Sequence, residues 1–300
     1  MDMPTGSREG RGRRLLVAVP TMFTPSGTLD LDATTRVGES VARSRADGAF
    51  VAGSTGEFLA LDADEWQAVV AAQRAALGRK RLVAHIGAGS ARQVVALLER
   101  GLAVGVTEVA ALTPLYLPAT RSATLEHFRA ISEAAAGRAR VYVYLFQART
   151  GTAVTGEELA RIAELPGIVG AKVSGCDLPT VRAYRRATPP EFEVFTGTDG
   201  DLPRAQANEL DGVVSGVAAG FPATFDRLLV ALGSGDRAAL AAARAELVEV
   251  IALVAGDIGR IKVALAARGI GTPTVRMAIE APSAGLVAAI GGAVARYQVG

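Results

Sequence analysis

The chain is poor in the residues that usually build metal and redox sites. Its 300 residues include one cysteine, Cys176, and two histidines, His85 and His127, far apart in sequence. A lone cysteine excludes intramolecular disulfides and cysteine metal clusters. No HExxH or comparable ligand spacing is present, so no structural or catalytic zinc site is expected. Long apolar runs are missing as well: no stretch reaches the roughly 18 uncharged residues of a membrane span. Arg11 to Phe23 has basic residues ahead of an apolar run, but Leu15–Val19 is too short for a secretory signal and Pro20 ends it. An excess of charge of one sign is also absent. The net charge of +2 comes from 32 basic and 30 acidic residues, and the only basic cluster is Arg8, Arg11, Arg13 and Arg14. That cluster reads as a solvated N-terminal tail. With no basic stripe on any folded segment, nucleic acid is not an expected partner. A soluble, cytoplasmic protein is expected.

What the chain does have is aliphatic bulk. Half of it is hydrophobic, only 5% is aromatic, and 34 residues are glycine, which suits a large aliphatic core and excludes disorder. Short β-branched runs alternate with longer helical patterns. The expected strands are Leu15–Val19, Ala49–Gly53, Leu82–Ile86, Glu108–Leu112, Val141–Phe146, Ile168–Val173, Phe192–Phe195 and Gly212–Ser215. Between them lie helical segments such as Asp64–Leu77, Ala91–Ala103, Ser122–Ala135, Gly156–Glu164 and Pro179–Ala187, with Asp62 or Asp64 and Ser90 as N-caps. Repeats of roughly 20–35 residues have the size of one strand–helix unit. Uniformly apolar strands indicate a parallel sheet covered by helices. Eight units, with no GxGxxG after the first strand, predict an α/β fold closed as a (β/α)8 TIM barrel rather than a dinucleotide-binding sheet. Asp236–Ala255, Ile258–Ala267 and Leu286–Tyr297 follow without further strand signal. The expected layout is a disordered tail over 1–14, a barrel over 15–233, and an appended C-terminal helical subdomain over 234–300.

Barrel enzymes carry their reacting groups at the C-terminal ends of the strands, and strand six is the most informative. In Ile168-Val-Gly-Ala-Lys172-Val-Ser-Gly175 the alternation sends Val169, Ala171 and Val173 one way and Gly170, Lys172 and Ser174 the other. If the aliphatic set meets the helices, Lys172 points into the barrel. Such a lysine either snorkels to water or into an ion pair, or it is desolvated. Desolvation lowers its pKa from about 10.4 and leaves a neutral amine able to attack a carbonyl. On strand five Tyr142, Tyr144 and Phe146 share a face, and a tyrosine beside a lysine can relay protons. Gly53-Ser-Thr-Gly-Glu57, after strand two, offers two hydroxyls and exposed amides for a carboxylate. Arg149, after strand five, offers a guanidinium for a second one. His85 reads as a hydrogen-bonded core histidine. Asp199 either lines the pocket or caps the following helix. Lys262 reads as a surface residue.

Taken together, Gly53-Ser-Thr-Gly-Glu57, Thr113-Pro-Leu-Tyr116, Tyr144 with Arg149-Thr-Gly151, Gly170-Ala-Lys172 and Gly212-Val-Val-Ser-Gly216 resemble the dihydrodipicolinate synthase / N-acetylneuraminate lyase family of pyruvate-dependent class I aldolases. The resemblance runs from Pro20-Thr-Met-Phe-Thr-Pro25 to the C-terminal helices. It implies that Lys172 forms the Schiff base and Tyr144 shuttles protons beside it. Ser54 would belong to the proton relay, and Thr55 would hold the 2-oxo acid carboxylate. Gly56, Ser215 and Gly216 are implied as further substrate-binding positions. Arg149 would meet the second substrate's carboxylate, and Tyr116 would reach across a dimer interface into a neighbouring site. A homotetramer built as a dimer of dimers is implied as well.

The departures fall on the second-substrate side. Leu145-Phe146-Gln147-Ala148 follows Tyr144, where many members carry Asn, an apolar residue and then Pro. The loop after strand four reads Thr-Pro-Leu-Tyr-Leu, and strand six runs into Val173-Ser-Gly. The resemblance therefore implies a Schiff-base lyase or synthase, needing no metal or organic cofactor, that joins pyruvate or a related 2-oxo acid to an aldehyde such as aspartate semialdehyde. A 2-keto-3-deoxy sugar acid aldolase or dehydratase is the alternative. A barrel that binds a 2-oxo acid without turnover is a third possibility.

Overall fold

Strand-length aliphatic runs with alternating faces can bury both sides only if helices cover one side and the sheet closes on the other. A computed structural model, which describes residues 12–298, shows that solution. The strands are β1 (Arg14–Ala18), β2 (Gly48–Val51), β3 (Arg81–His85), β4 (Glu108–Leu112), β5 (Arg140–Leu145), β6 (Ile168–Val173), β7 (Glu193–Thr196) and β8 (Gly212–Ser215). All pair in parallel in chain order, and β1 closes on β8. The chain is a TIM barrel, with helices between the strands and three more, Arg237–Val254, Ile258–Ala267 and Ala284–Tyr297, at its C-terminal end. Among the described residues no helix is long and apolar enough to cross a membrane, and no group of three or more His, Cys, Asp or Glu is arranged to hold a metal ion. Arg8 and Arg11 of the expected tail lie outside the described residues. Arg14, placed in that tail by the sequence, instead opens β1.

The two faces of each strand go to two cores. Val17, Val51, Ala84, Val143, Ala171 and Val194 join the layer beneath the helices. Leu16, Phe50, Val83, Tyr142, Tyr144 and Phe195 fill the lumen. The alternation fails once. Val169 packs against the lumen set rather than with Ala171 and Val173, because the β5–β6 register slips there: Val141 pairs with Ile168 while Tyr142 pairs with Gly170. A bulge of this kind inserts one residue and resets the faces beyond it. Gly170 is needed just past it, since a Cβ there would lie 2.6 Å from both Glu193 O and the Tyr142 ring. The slip leaves Lys172 facing the lumen, opposite Tyr144 on β5. Of the two candidate caps before Trp66, Asp62 caps, accepting from Asp64 N and Glu65 N. Its helix starts at Ala63, and Trp66 Nε1 donates to His85 O at 2.9 Å, which ties helix to strand.

The N-terminal mouth of the lumen is closed by charge. Arg14, Arg81, Glu108, Arg140 and Glu193 are each the first residue of a strand. Arg81 Nη2 donates to Glu108 at 2.6 Å and to Glu193 at 2.9 Å, Arg14 Nη1 to Glu193 at 2.6 Å, and the Tyr142 hydroxyl to Glu193 at 2.5 Å. Burial pushes the Glu193 carboxyl up, but Arg81, the Tyr142 hydroxyl and Arg140 outweigh it and hold the pKa at about 2, against 4.5. Because the folded-state value is depressed, this contribution is fully present above about pH 4.5 and is lost as pH falls toward about 2. Glu193→Gln is expected to cost about 3 kcal/mol at neutral pH and to flatten the acid limb of the stability curve. Urea unfolding at pH 7 and pH 3 checks it, and an unchanged difference between the two proteins would count against the assignment.

Candidate active site

Closure of the barrel brings the C-terminal ends of the strands around one opening. A cavity of about 440 Å³ lies there, floored by Lys172, Tyr144, Ser54, Thr55 and Gly216. Lys172 is 7% exposed. Its Nζ sits 4.1 Å from the Tyr144 ring centroid and 4.3 Å from that of Phe50. Aromatic faces attract a cation without taking its proton or blocking its lone pair once deprotonated. Among the described residues no carboxylate forms a salt bridge with Lys172, so the snorkelling and ion-pair readings give way to an enclosed amine at the floor of a cavity.

Tyr144 is fully buried, and its hydroxyl meets Ser54 Oγ at 3.4 Å, with Ser174 and Lys172 beside it. Burial raises the phenol's pKa, but the Lys172 ammonium and the hydroxyls of Ser54 and Ser174 outweigh burial, so the net shift is below 10. A phenol easier to ionise than usual, beside the Lys172 side chain, is placed for proton transfer.

The loop after β2 turns sharply, Glu57 N donating to Ser54 O and Phe58 N to Gly53 O. Ser54 and Thr55 face the cavity, and a methyl added to Gly216 would come within 3.4 Å of Thr55 Oγ1, so loops two and eight touch. Gly56 lies behind the wall, its carbonyl accepting from Thr21 Oγ1 at 2.9 Å. Ser215 is also behind the wall. It is fully buried, its hydroxyl donates to Asp199, and it accepts from Ala218 N at 3.1 Å. Asp199 does two jobs: it lines the cavity and it accepts from Val217 N at 3.4 Å, at the start of the short helix after β8 rather than of the helix after β7. Arg149 is at the rim, its guanidinium 5.5 Å from the Phe146 ring centroid. Tyr116 is not brought to this cavity. It is 89% exposed with φ 75°, on the outside of the single chain. His85 is a core residue, Nδ1 donating to Ala52 O at 3.1 Å; burial and then Lys172 lower its pKa to about 3, which keeps the ring neutral.

The reading of Lys262 as a surface residue is overturned. Its side chain is 0% exposed, as is that of Glu57, and Nζ lies 2.5 Å from Glu57 Oε1 and 2.8 Å from Thr274 O. Glu57 adopts a left-handed conformation (φ 53°), and its other oxygen accepts from Arg276 N and Met277 N, each at 2.8 Å. Arg276 then pairs with Glu65 at 2.6 Å and lies 4.2 Å over the Phe23 ring. The segment carrying Met277 and Ile279 is thus strapped across the loop that carries Ser54 and Thr55, and both of those apolar residues line the cavity. The local signal was slight. Lys262 stands in Ile258-Gly-Arg-Ile-Lys-Val-Ala-Leu, a helix with almost no polar face, but its partner is 205 residues away.

Comparison with known proteins bears on the family and the fold. Residues 11–283 match the model of the dihydrodipicolinate synthetase family. A 4-hydroxy-tetrahydrodipicolinate synthase of Xanthomonas campestris pv. campestris is 33% identical over 215 residues, 71% of this chain and 70% of that one. A 4-hydroxy-tetrahydrodipicolinate synthase 1 of Streptomyces coelicolor is 32% identical over 287 residues, 93% of each chain. An uncharacterized DapA-like lyase of Halobacterium salinarum is 34% identical over 254 residues, 84% of this chain and 83% of that one. In fold, the chain is similar to YagE of E. coli K12, a prophage protein of the dihydrodipicolinic acid synthase family in complex with pyruvate. The TM-score is 0.86, over 96% of this chain and 99% of that one, at 22% identity. By family match, relatives and fold together, the chain belongs to the dihydrodipicolinate synthetase family and is a lyase.

Proposed function

We propose that this protein forms a Schiff base between Lys172 and pyruvate or a related 2-oxo acid, and makes or breaks a carbon–carbon bond to an aldehyde. The observation that carries the reading is the enclosed Lys172 amine, 4.1 Å from the ring of a tyrosine whose hydroxyl continues to Ser54. The 2-oxo acid carboxylate is held at Thr55 and the turn amides. Neutral Lys172 attacks the ketone carbon, and Tyr144, coupled to Ser54, protonates the departing hydroxyl so that water leaves and an iminium forms. The iminium withdraws electrons, so C3 gives up a proton to yield an enamine. The enamine carbon bonds to the aldehyde carbon, whose oxygen takes up a proton, and water then hydrolyses the new iminium to free the product and the lysine. In reverse, the C3–C4 bond breaks. No step calls on a metal or an organic cofactor.

Arg149 at the rim favours an aldehyde with an anionic end, such as aspartate semialdehyde; the altered loops keep 2-keto-3-deoxy sugar acids as the alternative. Tyr116 and Leu117, 89% and 72% exposed, fit a residue pair that enters a neighbouring subunit; a cytoplasmic homotetramer goes with this reading, and sedimentation of the purified protein tests its assembly. The chemistry is tested by incubation with pyruvate and borohydride, followed by intact mass and peptide mapping. A reduced pyruvate adduct on Lys172 is expected; folded protein without an adduct on any lysine would sink the mechanism. Tyr144→Phe is expected to lower turnover about 10²- to 10⁴-fold while the slow adduct still maps to Lys172, as rates from stopped incubations will show.

A further inference from the structure

The loop that carries Ser54 and Thr55 leaves β2 through a residue in an unfavourable conformation. Ala52 has φ 52°, in the left-handed region where a residue with a Cβ is strained. Such a conformation persists only where the surrounding groups fix it. Gly56 folds back onto it, since a Cβ there would lie 3.0 Å from Ala52 Cα. The Ala52 carbonyl accepts from His85 Nδ1 at 3.1 Å. At the far end of the loop Glu57, also left-handed, is held by Lys262 and by the amides of Arg276 and Met277. His85 supplies the corresponding hold at the near end.

As packing material the His85 ring is costly. It is 1% exposed, and its Nε2 is buried with no hydrogen-bond partner among the described residues. That nitrogen lies against Gly87, where a Cβ would come within 2.5 Å of it. A buried nitrogen left in this way costs free energy that a leucine in the same place would not. What the imidazole adds is the donor at Nδ1. The ring is located from several sides. Trp66 Nε1 donates to the His85 carbonyl at 2.9 Å. The ring meets Phe58 edge-on at 4.5 Å, Tyr144 edge-on at 5.7 Å and Phe50 at 6.1 Å. Phe50 and Tyr144 are the two rings over which Lys172 Nζ lies. One buried side chain therefore joins the loop bearing Ser54 and Thr55 to the aromatic cradle of the lysine.

We infer that His85 is a positioning residue, whose Nδ1–H fixes the Ala52 carbonyl and so sets where Ser54 and Thr55 stand relative to Lys172. This deepens the Schiff-base reading and rests on it. The test needs no aldehyde. Borohydride trapping of pyruvate on the native protein is run first. Exchange of the pyruvate methyl hydrogens for deuterium, in which C3 gives up a proton through the enamine and takes up a deuteron, is then followed by NMR. The native protein is compared with His85→Asn, His85→Gln and His85→Leu. An asparagine amide places an N–H where Nδ1 stands, a glutamine amide places it one atom farther out, and leucine has none. The KM for pyruvate is expected within about threefold of native in His85→Asn and at least about tenfold higher in the other two. The kcat is expected to fall in all three, which lack the ring beside Tyr144, so the split in KM isolates the hydrogen bond. Equal KM values for His85→Asn and His85→Gln, the outcome of a merely structural role, overturn the inference and leave the Schiff base standing. A native KM in His85→Leu does the same, and if that variant does not fold, the asparagine and glutamine variants decide. No trapped adduct on the native protein overturns both.

Discussion

Lys172→Ala is expected to abolish both the borohydride-trapped adduct and turnover, a loss of at least about 10⁴-fold in kcat/KM. On the proposed mechanism the other groups around the cavity hold the 2-oxo acid, but none of them supplies an electron sink. Lys172→Arg is expected to be equally inactive, because a guanidinium keeps its charge and cannot attack a carbonyl. The same substitutions should not destabilise the fold. The native lysine is 7% exposed, its Nζ over the Tyr144 and Phe50 rings and in no salt bridge among the described residues, and burying a polar amine without such a partner is costly. Lys172→Ala is therefore expected to melt at or slightly above the native temperature. Calorimetry beside the trapping assay checks the pair of outcomes. An inactive variant that also unfolds would assign Lys172 to the architecture rather than to the chemistry.

The second large effect is expected at Lys262. Lys262→Met removes the ammonium that Glu57 meets at 2.5 Å in a site where both side chains are 0% exposed, and breaking a buried pair from one side costs about 3–5 kcal/mol. Methionine fills much of the same volume, so the loss measures charge more than packing. Glu57→Gln in the Lys262→Met background is expected to recover part of that stability, since the double change removes the stranded charge. It should not recover full activity, because a neutral amide accepts more weakly from Arg276 N and Met277 N and holds the strap less tightly. Urea unfolding of the two single variants and the double variant gives the coupling energy. Additive losses would mean that the contact contributes little despite its burial.

Much of this was legible in the sequence because the relevant signals are local. Each of the eight strands was found within one or two residues, since aliphatic alternation is a property of neighbours along the chain. Lys172 stands out in the sequence because it interrupts such a run, and Tyr144 because it shares a face with two other aromatics; both line the cavity. What escaped depends on distant segments. The face of Val169 is not legible from alternation because a bulge is set by the register of the adjoining strand. The burial of Lys262 is not legible locally because neither Glu57 nor the Thr274 carbonyl is near it along the chain. Gly56 and Ser215, expected to bind substrate, stand one layer behind the cavity wall, holding Thr21 and Asp199. A motif gives the order of residues in a loop, and the turn decides which of them face inward. Tyr116 lies outside the cavity of the single chain.

The strap over the second loop also fixes when, during synthesis, the site becomes complete. All eight strands have been made once Ser215 has emerged, and Lys172 and Tyr144 can then already lie side by side. The cation for Glu57 comes 205 residues after it, and the amides of Arg276 and Met277 later still. A chain stopped between β8 and the Ile258–Ala267 helix therefore has Lys172 without the roof of its pocket. The groups that pin the second loop thus arrive with the last quarter of the polypeptide, and the pocket takes its full shape only when the chain is nearly complete.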